Sequence, residues 1–214
     1  MPIPSLSKAG RPKSAEKREQ VLKAAGDLFL DVGFTGCSMD AVAKHSGVSK
    51  QTVYSHFSNK EALFTAVIES KCAEYQLDES HLANGALNLV DVLNAMGRQV
   101  VKLLHDEQVI AIYRVVIGES AANPRVAELF YQAGPQHSLN MLAQSFKIFI
   151  QKPLSDEFAY QCAVTFFNLL KGEFHVKSIL SLEFALSEQE QEQHVAYAIQ
   201  HIHIMLDLYQ AQQG

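Results

Sequence analysis

Cysteine is scarce in this chain of 214 residues: Cys37, Cys72 and Cys162 lie far apart. None forms a C-x-x-C pair, so no disulfide framework is expected, and the pattern fits a reduced, cytoplasmic protein. Long apolar runs are also missing. The richest, VIAIYRVVIG at 109–118, is broken by Arg114 and is too short to span a membrane. The first thirty residues hold no uninterrupted apolar segment, which argues against a secretory signal. The sequences G-x-G-x-x-G, P-loop, G-x-S-x-G and H-E-x-x-H are absent, so nothing points to an enzyme and no cofactor is implied. Alternating apolar–polar runs of the β type are nearly absent too, and no internal repeat stands out.

What the chain does have is 48% hydrophobic residues, enough for a substantial core, and an uneven charge. Residues 1–60 carry nine Lys/Arg against five Asp/Glu, a net +4, whereas residues 61–214 carry nine against eighteen, a net −9. A basic front on an acidic body suggests one region that faces a polyanion and one that does not.

Helical periodicity accounts for almost everything after residue 13. Residues 1–13, with three prolines and no periodicity, read as a flexible basic arm. Behind a Ser14 cap, Val21, Ala25, Leu28, Phe29 and Val32 recur at helical spacing until Gly33. Ser38 and Ser49 cap two short helices, and Ser58 with Glu61 forms a capping box for a longer helix to about Gln76. Further helices are expected over 87–104, 109–121, 125–150 with a break at Gly134-Pro135, 155–180, and from Ser187 to about Tyr209. The fold class is therefore all-α, with about nine helices. An N-terminal three-helix domain spans 14–60 and a larger helical domain spans 61–214, joined by the helix at 58–76.

The short helices carry the chemistry. They are too short to persist alone and must dock through Val42, Ala43, Val48, Val53 and Phe57. Ala43 permits close approach, and Gly47 permits a tight turn between them, which is helix-turn-helix logic. With Val53 and Phe57 inward, Lys50, Gln51, Thr52, Tyr54, Ser55 and His56 are left outward. Gln can read adenine, Lys can reach guanine and Thr can touch a thymine methyl. Ser, Tyr and Lys suit phosphate oxygens, and the helix starts at Ser38 and Ser49 favour phosphate. The alternative is an ordinary solvated face.

At this point a family resemblance is evident. GFTGCSMDAVAKHSGVSKQTVYSHFSNKEAL resembles the DNA-binding domain of TetR-type transcriptional regulators over about residues 15–63. The resemblance implies operator contacts at Ser38, Lys50, Thr52, Tyr54, His56 and Lys60. Cys37 departs from it, standing where the family often has Thr. It also implies a homodimer, a C-terminal ligand and dimerisation domain, and usually repression. The stretch IYRVVIGESAANPRVAELFYQAGP is similar to the C-terminal domain of AefR- and AcrR-like regulators. Expected partners are thus a double-stranded DNA operator, a second copy of the chain and a small-molecule effector, with no membrane. A DNA-binding activator or an architectural protein without ligand control is the alternative.

Three further expectations concern the arm and the body. Gly10-Arg11-Pro12-Lys13 resembles a minor-groove clip, so Arg11 and Lys13 join Ser49 and Gln51 as candidate DNA contacts; a plain basic tail is the alternative. The helix at 155–180 is apolar on two faces. One side carries Phe158, Cys162, Thr165, Leu169 and Val176. The last helix spaces Val195, Ile199, Ile202, Leu206 and Tyr209 as a seam, so these two helices are expected to form a two-fold interface, or else a central core. Eight of the twelve Phe lie between 130 and 184, suggesting an apolar cavity lined by Met96, Tyr113, Phe146, Phe166, Phe167 and Phe174. Arg114 and His175 would orient a ligand there, although such a stripe is more often plain core. His194, His201 and His203 lack the spacing of a zinc site, so no metal is expected.

Overall fold

The computed structural model describes residues 13–75, 88–150, 153–182 and 185–212, with no side-chain description for Lys13. Arg11 and the other residues of 1–12 lie outside them, whereas Lys13, expected in the basic arm, opens the first helix. The described residues are all-α. In chain order the helices are α1 (Lys13–Gly36), α2 (Met39–Ser46), α3 (Lys50–His56), α4 (Lys60–Ala73), α5 (Leu89–His105), α6 (Glu107–Ser120), α7 (Pro124–Tyr131), α8 (His137–Phe149), α9 (Asp156–Ile179) and α10 (Glu188–Gln212). A π-turn, Gln132–Gln136, joins α7 to α8 without a break. The chain divides into two compact units, Met1–Val67 and Ile68–Gly214, so the boundary falls inside α4.

In the first unit α1 starts at Lys13, ahead of the expected cap Ser14, and its helical geometry breaks at Gly33. Val21, Ala25 and Phe29 are buried as their spacing predicts, but Val32 is exposed. Phe29, Phe34 and Phe64 form an aromatic cluster with ring centroids 5.1–5.9 Å apart, which closes the unit around the start of α4. The cap of α4 is Asn59 rather than Ser58: its Oδ1 accepts from Ala62 N at 2.8 Å.

The second unit has a core drawn from α5, α8, α9 and α10, in which Leu93, Leu142, Phe146, Phe166, Leu170 and Ile202 are fully buried. Capping positions match the sequence well. Ser187 and Glu190 close a reciprocal box, and Ser155 caps α9. Pro135 does not start a new helix. It sits in the π-turn, whose wider winding accommodates a residue that lacks an N–H and clashes with the preceding turn.

The apolar stripe expected as a two-fold seam is instead internal. Val195, Ile199, Ile202 and Leu206 pack into the unit's own core, Cys162 is fully buried, and Phe158 stacks on Tyr209 at 3.8 Å. Left exposed on α10 is a second stripe, Tyr197, Ile204 and Leu208, with Val176 exposed on α9. A helix of period 3.6 can carry two such stripes, and composition does not say which one the core takes. Helix α9 breaks at Gly172, which adopts φ 51° and ψ −166°. His194 fills the gap, its Nε2 2.9 Å from Leu170 O.

Candidate nucleic-acid interface and an internal cavity

Helices α2 and α3 are eight and seven residues long and rest on buried Met39, Val42, Ala43 and Val53, with Phe57 buried just beyond α3. Burying a Val, Met or Phe side chain contributes about 1.5–3 kcal/mol, and such burial is what holds two short helices in place. Ser38 Oγ accepts from Ala41 N at 3.1 Å and Ser49 Oγ accepts from Thr52 N at 3.2 Å. Between the helices Gly47 adopts φ 70°, a conformation that costs an L side chain energy. The turn thus fixes which side of α3 is turned away from the unit.

On that side the structure brings together Lys50, Gln51, Tyr54 and Ser55, all exposed, flanked by the half-buried Thr52 and His56 and by the exposed Ser38 and Ser49. Tyr54 is 51% exposed, a large aromatic side chain left open to solvent. Lys50 Nζ bonds Asp40 Oδ2 at 2.6 Å. Both side chains are well exposed, so the pair is worth little and its lysine can exchange onto another anion.

Lys60, expected as a DNA contact, bonds within its own unit. Its ammonium donates to the carbonyl oxygens of Phe34, Thr35 and Cys37 at 2.7, 3.3 and 2.9 Å, and it lies 4.5 Å from the Phe34 ring centre. A cation on unpaired carbonyls at a helix end is a structural cap. Cys37 is buried beneath it.

The second unit contains a partly open cavity of about 180 Å³. Its wall draws Ile68, Lys71 and Cys72 from α4, and also residues of α5 to α9 and the π-turn. Of the residues expected around a ligand, Tyr113 and Phe167 line it. Phe146, Phe166 and Phe174 do not, because they are core: the first two are fully buried and Phe174 nearly so. Met96 packs against that core. Arg114 donates from Nε to Ile179 O and from Nη2 to Ser178 O, closing the end of α9. His175 is buried edge-on against Tyr113 at 4.9 Å. Burial first, then the nearby Lys171 ammonium and His105, push its pKa down to about 4.

Sequence reasoning missed the polar groups at this cavity. Lys71 Nζ bonds Asp106 Oδ2 and Glu74 Oε2, both at 2.9 Å, and Tyr75 OH donates to Asp106 Oδ2 at 2.6 Å. Burial works against the charged forms of Lys71 and Asp106, but these hydrogen bonds outweigh it, so the lysine is raised and the aspartate lowered. Asp106 Oδ1 also caps α6 through the N–H groups of Gln108 and Val109. An Asp directly before a helix was the only sign of this in the sequence. The thiols are not activated: burial raises Cys72 and Cys162 to about 11. Among the described residues no three His, Cys, Asp or Glu converge as a metal site, and no helix is long and apolar enough to cross a membrane.

Comparison with known proteins decides what the two units are. Residues 21–67 match the model of bacterial regulatory proteins of the tetR family, and residues 91–211 match the C-terminal domain of AefR-like transcriptional repressors. The chain belongs to the TetR family. It is a DNA-binding transcriptional regulator rather than an enzyme. This TetR-family chain is similar to a solved family member from Mesorhizobium loti, at 26% identity, covering 92% of this chain and 98% of that one, with a TM-score of 0.68. It is also similar to the flavonoid-responsive regulator FrrA, at 33% identity, covering 88% and 95%, with a TM-score of 0.66. Over 54 residues it is 44% identical to the transcriptional activator FasR of Mycolicibacterium smegmatis, a match that covers 25% of each chain. The chain spans between 25% and 56% of the length of the first three curated relatives it matches.

Proposed function

We propose that this regulator is a repressor that binds a two-fold operator as a homodimer and is released by a small apolar or aromatic molecule in the cavity. One observation carries the ligand control. Ile68, Lys71 and Cys72, in the last turns of α4, form part of the cavity wall, and the first turns of the same helix belong to the DNA-binding unit. A ligand acts here only through its differential affinity for the DNA-competent and incompetent states. The AefR-like repressor match supports the sign, and the flavonoid response of FrrA supports a small aromatic effector. A role on DNA supports a cytoplasmic location.

In this reading Gln51 and Lys50 read base edges, Thr52 touches a thymine methyl, and Ser38, Ser49, Tyr54 and His56 hold phosphates. Arg11 and Lys13 add affinity from the arm. The dimer forms through α9 and α10, using the exposed stripe of Tyr197, Ile204 and Leu208 with Val176. Fluorescence anisotropy of a labelled duplex from the chain's own upstream region tests the ligand control. Aromatic compounds that bind the protein are expected to lower its DNA affinity at least tenfold. If compounds shown to bind leave DNA affinity unchanged, the ligand control is wrong.

A second reading, activation, is favoured by the 44% identity to FasR in the DNA-binding region. A reporter fused to the bound promoter separates the two, because deleting the regulator raises expression from a repressed promoter and lowers it from an activated one.

A further inference from the structure

The wall of the cavity contains two charged residues, Lys71 and Lys171, and no acid. Lys71 is neutralised by Asp106 and Glu74. Lys171 is not. It is half-buried on α9, one residue before the break at Gly172, and among the described residues no carboxylate or carbonyl meets its ammonium. The nearest acid along the helix, Glu173, pairs with Lys177 at 3.0 Å. Burial lowers the pKa of Lys171, and no acid counters it.

Two imidazoles nearby also carry nitrogens without partners. His105 Nδ1 lies 2.7 Å from Val101 O, which can only accept, so Nε2 is left as a bare lone pair when the ring is neutral. That Nε2, and Nδ1 of His175 behind the Tyr113 wall, are buried without a partner. His175 lies within electrostatic reach of both Lys171 and His105. Taking an unpaired cation even partly out of water is costly, and an anion at the site would offset that cost. The rest of the lining is apolar or aromatic, including Val100, Ile112, Phe130, Val164 and Phe167.

We propose that the cavity takes a compact monoanion, an apolar carboxylic acid, with its carboxylate on Lys171 Nζ and its body against Ile112, Phe130, Val164 and Phe167. This rests on the reading of the cavity as the effector site and names the ligand class for it. The volume, about 180 Å³, sets the size. An apolar cavity of about 150 Å³ holds benzene, so the ligand is about one or two rings in extent rather than a long chain. The carboxylate supplies the acid that the wall lacks, and Asn168 and Ser138 in the lining offer neutral hydrogen bonds beside it.

Isothermal titration calorimetry of the full chain with 2-naphthoate, its methyl ester and its primary amide tests this, on the wild type and on Lys171→Met and Lys171→Arg. The wild type is expected to bind the acid at least about tenfold more tightly than either neutral analogue, the usual advantage of a charge-assisted hydrogen bond. Lys171→Met is expected to lose that preference while binding the ester at least as well as before, and Lys171→Arg to keep most of it. Thermal unfolding of Lys171→Met at or above the wild-type temperature excludes misfolding as the cause. If acid and ester bind equally to the wild type, or if Lys171→Met binds the acid unchanged, the anion claim falls and the cavity stands as an apolar effector site. Binding of none of the three overturns both.

Discussion

At the scale of single residues, Lys60 carries a structural role that its sequence position did not announce: it caps three carbonyls near the end of α1 and so holds the first unit together. We propose that this role takes the place of the expected DNA contact. Lys60→Met is expected to lower stability by about 1–2 kcal/mol in denaturant unfolding. The slope of DNA affinity against salt should stay unchanged, because no phosphate contact is lost. A flattened slope with intact stability would return Lys60 to the interface. Gln51→Ala is expected to do the opposite, leaving stability alone and changing the consensus recovered from a randomised-site selection. Asp106 gives a pH-dependent counterpart. Its folded pKa lies below its ordinary value, so its contribution is complete above about pH 4 and is lost as the pH falls through the folded pKa. Asp106→Asn should therefore cost about 1–3 kcal/mol near neutral pH, with the gap to the wild type closing in acid unfolding curves below about pH 4.

At the scale of elements, the break in α9 is held by fit rather than by flexibility. A Cβ on Gly172 would stand 2.7 Å from His194 Cε1, on a backbone with positive φ. Gly172→Ala is expected to destabilise the second unit by about 2 kcal/mol or more, measured by thermal unfolding. Much of this scale was legible in the chain. Capping chemistry is local, so Ser38, Ser49, Ser155 and Ser187 marked helix starts correctly. The turn at Gly47 and the outward set on α3 followed once Val53 and Phe57 were taken as buried. What was not legible depends on partners distant in sequence. Asn59 displaced Ser58 as a cap, and a π-turn absorbed Pro135. The core took Val195, Ile199, Ile202 and Leu206, leaving Tyr197, Ile204 and Leu208 outside. The cavity was foreseen as aromatic, but most of the phenylalanines chosen for it fill the core. Its distinguishing residue, Lys171, passed as an ordinary lysine because pairing or its lack cannot be read from one strand of text.

At the scale of the molecule, the proposed dimer and its operator are coupled. If the exposed α10 stripe makes the two-fold contact, Ile204→Glu puts a charge into it and should yield monomers in sedimentation velocity, with the fold preserved by circular dichroism. Operator affinity should fall with it, since each monomer holds one half-site. In the proposed reading the acidic second unit adds no affinity for DNA, and recognition rests on α2, α3 and the basic arm. A DNase I footprint over the chain's own upstream region tests this account most directly. The account predicts two protected half-sites related by a two-fold axis, both lost when Gln51 and Tyr54 are replaced by alanine. Uniform coating of the fragment, or a footprint that survives those two substitutions, would contradict it.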